Sequence, residues 1–190
     1  MKHTPWLLIY LRFALTIPAI ALGYLLITGW VYVLLLAIAA TTDYYDGVLA
    51  RKLNVETAAI RQWDSIADTV FFLGVLAGMW FAYPSIYTTY KAGIASIIGL
   101  EVIRYIFDYI KFRRGASYHA YSAKIFGVTL LAATIAIMGF GYAHILFPLA
   151  IFMGIVSEVE GLLMSVILRE WTYNVKHLGI AWQLRKNSNK

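Results

Sequence analysis

Asp43-Tyr44-Tyr45-Asp46-Gly47-Val48-Leu49-Ala50-Arg51 and, a short polar connection later, Asp64-Ser65-Ile66-Ala67-Asp68 decide how this chain is read. Four carboxylates stand here in a sequence that is otherwise apolar for long stretches. A carboxylate at the centre of a bilayer costs about 2.5–3.5 kcal/mol on insertion scales, so a group of them needs a counter-charge and a purpose. On a helix, Asp43, Asp46, Gly47, Ala50 and Arg51 fall at i, i+3, i+4, i+7 and i+8, which is one face. Arg61, Asp64 and Asp68 fall at i, i+3 and i+7 on the next helix, again one face. The connection over 52–57 is too short for anything but antiparallel neighbours, so the two faces converge.

The surrounding sequence identifies the solvent. The chain has 190 residues, is 61% hydrophobic and 14% charged, and has a mean hydropathy of +0.70, values of the membrane class. Apolar stretches run over 7–28, 30–49, 58–83, 92–111, 121–143 and 145–168, each close to the ~20 residues a membrane-crossing helix needs. The fold class expected is all-α integral membrane, with six transmembrane helices in a single domain over 1–190. No room is left for a soluble domain.

Orientation follows from the basic residues. Lys2 and Arg12 open the first span, and Arg51, Lys52 and Arg61 flank the second connection. Lys111, Arg113, Arg114 and Lys124 flank the fourth, and Arg169, Lys176, Arg185, Lys186 and Lys190 follow the last. The other connections carry only Lys91. The positive-inside rule then puts both termini, and the acidic cluster, on the cytoplasmic side. In a bacterium this is the inner membrane. The net charge of +6 is explained by that bias and by attraction to anionic headgroups, so it indicates no nucleic-acid partner. Zero cysteines exclude disulfides, thiolate metal sites and cysteine nucleophiles. The N-terminus begins as a signal peptide would, but Arg12 interrupts the apolar run, and a retained first helix is expected. Pro84 is read as closing the third span. The tail after Arg169 is read as polar, anchored by Trp171 and Tyr173.

Four carboxylates in one pocket suit one or two hard divalent cations with oxygen ligands, Mg²⁺ or Mn²⁺. Gly47 and Ala50 leave a trough beside them in which a flat or phosphorylated ligand approaches the backbone closely. Metal next to a phosphate-sized space is the arrangement for phosphoryl chemistry. The blander account is that Asp43 and Asp46 are solvated helix-end residues paired with Arg51 and Arg61. That account suits one pair; it suits two pairs less well, with Asp68 a further turn into the membrane.

As a string, the two stretches resemble the signature of the CDP-alcohol phosphotransferases (CDP-alcohol phosphatidyltransferases), D-x-x-D-G-x-x-A-R, eight residues, then G-x-x-x-D-x-x-x-D. Every element is present at its spacing except the second glycine, whose place is taken by Ile60. Pro5, Leu8, Arg12 and Pro18 are similar to the family's first helix. The resemblance implies transfer of a phosphoalcohol from a CDP-linked donor to an acceptor hydroxyl with release of CMP, by a homodimer. It implies that Asp43, Asp46 and Asp64 ligate metal holding the donor diphosphate. It also implies that Asp68 is the general base, touching a second metal, and that Gly47, Ala50 and Arg51 line the cytidine and phosphate site. A branched side chain at Ile60 is expected to narrow that site. A carboxylate deeper in the membrane has the pKa most easily raised, which suits Asp68 as base.

On the acceptor side, Arg104, Arg113 and Lys124 are candidates for a basic pocket taking a phosphorylated alcohol such as glycerol 3-phosphate, with CDP-diacylglycerol as donor. The competing readings are an internal Arg104–Asp108 salt bridge at i, i+4 and topology anchors at Arg113 and Arg114. Glu158 and Glu160 lie on different sides of the sixth span and cannot both serve one site. Two other functions use buried aspartates in a membrane: a cation- or proton-coupled transporter, and a catalytically silent relative. Transporters usually show paired broken helices in related halves, whereas here the acidic sites lie in one place.

Overall fold

The computed structural model describes residues 4–53, 55, 57–142 and 144–188, without the side chains at positions 4, 5, 46, 50 and 51. Seven helices are described: α1 (Thr4–Tyr24), α2 (Trp30–Lys52), α3 (Ala58–Ala82), α4 (Pro84–Phe112), α5 (Tyr121–Phe140), α6 (Leu146–Ile167) and α7 (Leu178–Asn187). Among the described residues there is no strand, only one isolated bridge between Ser117 and Tyr173. A helix satisfies its own backbone hydrogen bonds, which is what a chain this apolar needs in lipid. Four helices are long and apolar enough to cross a membrane: α1 from Trp6, α3, α5 and α6. The remaining two of the expected six, α2 and α4, have the length but are diluted by polar residues, Asp43 to Lys52 in α2 and Lys91, Glu101, Arg104, Asp108 and Lys111 in α4.

The chain divides into two compact units. The first comprises Met1–Thr89 and Thr134–Ala143. Here α1 packs along both α2 and α3. Glycines decide how close it comes. A Cβ at Gly23 would collide with the backbone of Gly78, and one at Gly78 would collide with the carbonyl of Ala19. Small residues thus bring two backbones together, as at many helix contacts in membranes. Tyr32 on α2 donates from its hydroxyl to the Ala19 carbonyl at 3.0 Å and ties the third helix in. Ile9 packs with Ile60 and Ala67, and further along Thr16 lies over Gly74, so α1 and α3 run in the same direction. The early part of α1 therefore lies beside the early part of α3.

The second unit comprises Tyr90–Ala133 and His144–Lys190. Its α4–α6 contact is a polar ladder. Arg104 Nε donates to Glu158 at 2.7 Å, and its guanidinium lies 4.0 Å from buried Asp108. Gly161 makes room for the Arg104 side chain. Lys111 donates to the carbonyls of Ser165 and Val166 at 2.8 and 3.0 Å, which caps the C-terminal end of α6 with a positive charge.

One expectation holds and gains a detail, and another is corrected. The third span does end before Pro84, with Tyr83 capping α3, and Pro84 also opens α4, which kinks at Tyr90 where φ is −110° and ψ 18°. Proline suits a first helical position because its missing N–H would be unsatisfied there anyway. The tail is not merely polar. It forms α7, started by His177, whose ring accepts from Gly179 N at 3.1 Å. Leu178, Ile180 and Ala181 then pack on Tyr118, Met164, Leu168 and Val175. The tail also clasps the α4–α5 connection, with Asn174 N donating to Ser117 O and Trp171 Nε1 to Gly115 O.

Candidate active site

Three helices of the first unit each bring a charge to one point. Asp64 and Asp68 lie one turn apart on α3, in register with Arg12 because of the glycine-mediated approach of α1. Asp43 comes from the later half of α2. One oxygen from each of Asp43, Asp64 and Asp68 lies within 4.8 Å of the other two.

Arg12 sits at the centre. Its Nη1 donates to Asp64 Oδ1 at 2.9 Å and to Asp68 Oδ1 at 2.5 Å, while Nη2 lies 3.2 Å from Asp43 Oδ1. The guanidinium is buried, as is Asp64, whereas the side chain of Asp68 is 35% exposed and that of Asp43 54%. Arg12 was not among the site residues expected from sequence. The signal was there: a lone cation in an apolar span requires a counter-charge, and the nearest carboxylates are those of the next two helices.

The other expected residues divide as follows. Gly47 lies half-buried one turn beyond Asp43 on α2. The backbones of Asp46, Ala50 and Arg51 continue that helix, and their side chains lie outside the described residues. Ile60, at the position of the motif's second glycine, is buried against Ile9 and Ala67, and its N–H donates to the Thr57 hydroxyl that caps α3. In the second unit Arg104 is engaged by Glu158, and Arg113 and Lys124 are exposed. Both glutamates of α6 are accounted for: Glu158 holds Arg104, and Glu160 accepts from the Ser122 hydroxyl and from Leu178 N.

Three carboxylate oxygens, with neither imidazole nor thiolate among them, form the donor set of a hard divalent cation. Oxygens around one Mg²⁺ at about 2.1 Å are about 3–4 Å apart, so a modest contraction closes the triad on an ion. The residues fit such a metal. With one guanidinium between them, the three carboxylates carry a net charge of the sign that attracts it.

The family model described as CDP-alcohol phosphatidyltransferase matches residues 2–156, which takes in α1 to α5 and part of α6. No curated protein and no solved structure matches the chain.

Proposed function

The chain belongs to the CDP-alcohol phosphatidyltransferase family, and on that premise we propose that it transfers a phosphatidyl group from CDP-diacylglycerol to the hydroxyl of a small polar acceptor, releasing CMP. The observation that carries this reading is the convergence of Asp43, Asp64 and Asp68 from two helices on one point. A bound Mg²⁺ or Mn²⁺ supplies neutralisation of the donor diphosphate and of the departing CMP. Asp43 and Asp64 would hold it, with Asp46 from the same face of α2. By the family motif, Gly47, Ala50 and Arg51 would line the adjoining nucleotide site.

The reaction itself asks little covalent work of the protein. The acceptor oxygen attacks the phosphorus that bears the lipid, the bond from that phosphorus to the CMP oxygen breaks, and the acceptor proton must leave. Asp68 would take it; the support is that it is the more accessible of the two α3 carboxylates, while Asp64 is enclosed. The packing of Ile60 against Ile9 supports a donor site that tolerates isoleucine there, since the side chain is spent on the helix contact.

The finer proposals are a six-span topology with the site on the cytoplasmic side, a homodimer, and a phosphorylated acceptor such as glycerol 3-phosphate. Of the basic residues that the sequence offers for that acceptor, Arg113 and Lys124 are exposed and Arg104 is paired with Glu158. The test is CMP release by purified protein with CDP-diacylglycerol and Mg²⁺ or Mn²⁺, over glycerol 3-phosphate, inositol phosphate, inositol and serine, with Asp68→Asn as control. Metal-dependent release with one acceptor, lost in the variant, is expected. No release with any acceptor, together with no cytidine-nucleotide binding, would end the transferase reading.

A further inference from the structure

Arg12 occupies the place where the cation would sit. Its Nη1 lies between Asp64 Oδ1 at 2.9 Å and Asp68 Oδ1 at 2.5 Å, and its Nη2 reaches Asp43 Oδ1 at 3.2 Å. A guanidinium is planar, permanently charged and forked, so a single side chain bridges all three carboxylates. A cation at about 2.1 Å from the same oxygens leaves no room for a nitrogen between them. The two positive groups are therefore alternatives.

We propose that Arg12 is an internal counter-cation that holds the carboxylate triad together without metal and that a divalent ion must displace in order to bind. The inference rests on the proposed metal-dependent reading of the site, and it assigns Arg12 a positioning role. The physical grounds are burial and charge. Three carboxylates drawn together at the membrane boundary repel one another, and without a counter-charge they would splay or take up protons. Arg12 is 1% exposed and comes from a helix locked to α3 by the Gly23–Gly78 approach, so its position is set by the fold rather than by a mobile surface chain. Two consequences follow. The metal-free site is already assembled, and the intrinsic affinity of the triad for a divalent ion is lowered by the work of moving the guanidinium away.

The test uses Mn²⁺ as the probe and needs no substrate. Binding is measured by the loss of the free-ion electron paramagnetic resonance signal in detergent-solubilised full-length protein, for wild type, Arg12→Met and Arg12→Lys. Thermal unfolding is followed in EDTA and in Mn²⁺. Arg12→Met is expected to bind Mn²⁺ tighter by about tenfold or more, corresponding to about 1.4 kcal/mol. In EDTA it should melt at least about 5 °C lower than wild type, a gap that saturating Mn²⁺ narrows. Arg12→Lys, which keeps the charge but cannot bridge three partners, should shift affinity in the same direction by less. It also serves if Arg12→Met does not fold. Mn²⁺ affinity that is unchanged or weaker in the variants, or no Mn²⁺ binding by wild type and variants alike, overturns the displacement model. The outcomes separate from those of the proposed reaction. Metal-dependent CMP release with no gain in Mn²⁺ affinity defeats the displacement and leaves the reaction standing. Tighter Mn²⁺ binding with no CMP release from any donor does the reverse.

Discussion

Asp64 and Asp68 carry the same charge one helical turn apart, yet their surroundings separate their roles. Asp64 is enclosed with Arg12, while about a third of the Asp68 side chain is exposed. An enclosed carboxylate suits a fixed ligand, and an accessible one suits proton transfer to an arriving hydroxyl. Asp64→Asn should therefore weaken Mn²⁺ binding by about tenfold or more. Asp68→Asn should lower kcat by about 10²–10⁴ and weaken Mn²⁺ binding by less than Asp64→Asn does. Titration of Mn²⁺ beside turnover measurements separates the two, and the reverse pattern would exchange the roles. Ile60 offers a second contrast. If its side chain is chiefly packing, Ile60→Gly leaves a void beside Ile9 and weakens α3, costing about 3–5 kcal/mol, against about 1 kcal/mol for Ile60→Val. Unfolding in micelles measures both; a stable and more active Ile60→Gly would show that the branched side chain obstructs the donor. At this scale three of the four carboxylates, Asp43, Asp64 and Asp68, were legible because helical spacing and a short connection force their convergence. Arg12 was not, because nothing local to α1 states which helix it faces, and the packing of Ile60 against Ile9 was not legible for the same reason.

Helices α1 and α3 meet backbone to backbone, and that contact sets the register of the site. The glycines that permit it lie further along the helices than the ion pairs, on the same packed seam. Gly78→Val should overpack this seam, costing about 2–3 kcal/mol, and should push α1 away from α3, carrying Arg12 off Asp64 and Asp68. Leu73→Val, on the exposed side of the same helix, should stay within about 0.5 kcal/mol. Unfolding and Mn²⁺ binding together check this: wild-type binding in a destabilised Gly78→Val would mean that the seam and the site are independent. Element boundaries were largely legible, since 58–83 and 145–168 from the apolar pattern became Ala58–Ala82 and Leu146–Ile167. Pro84 marked the end of α3 correctly, but that it also opens α4 was not legible, because proline signals both a stop and a first helical position. α7 was missed because its burial depends on Met164, Leu168 and Tyr118, residues remote from it in sequence.

At the scale of the whole molecule, the reading depends on which helices cross the membrane, and composition answers this for only four of them. At 1.5 Å per residue, α3 with its 25 residues is about 37 Å long, enough to reach across the ~30 Å hydrocarbon core. For α2 and α4 crossing also requires counter-charges for their polar residues, such as Arg12 for Asp43 and Glu158 for Arg104. The chain contains no cysteine, so single introduced thiols report position without background. Six crossings require Ile27→Cys and Ser85→Cys to react with an impermeant maleimide from one side, and Lys52→Cys and Ser188→Cys from the other. The basic residues assign the second pair to the cytoplasm. Each disagreement has one meaning. Ile27→Cys on the side of Lys52→Cys would show that α2 does not cross. Ser188→Cys on the side of Ser85→Cys would show that α4 does not cross, given that α5 and α6 do. Lys52→Cys reacting from outside would invert the whole assembly and put the carboxylate triad on the face away from the cytoplasm, where neither a CDP-linked donor nor CMP release would be served.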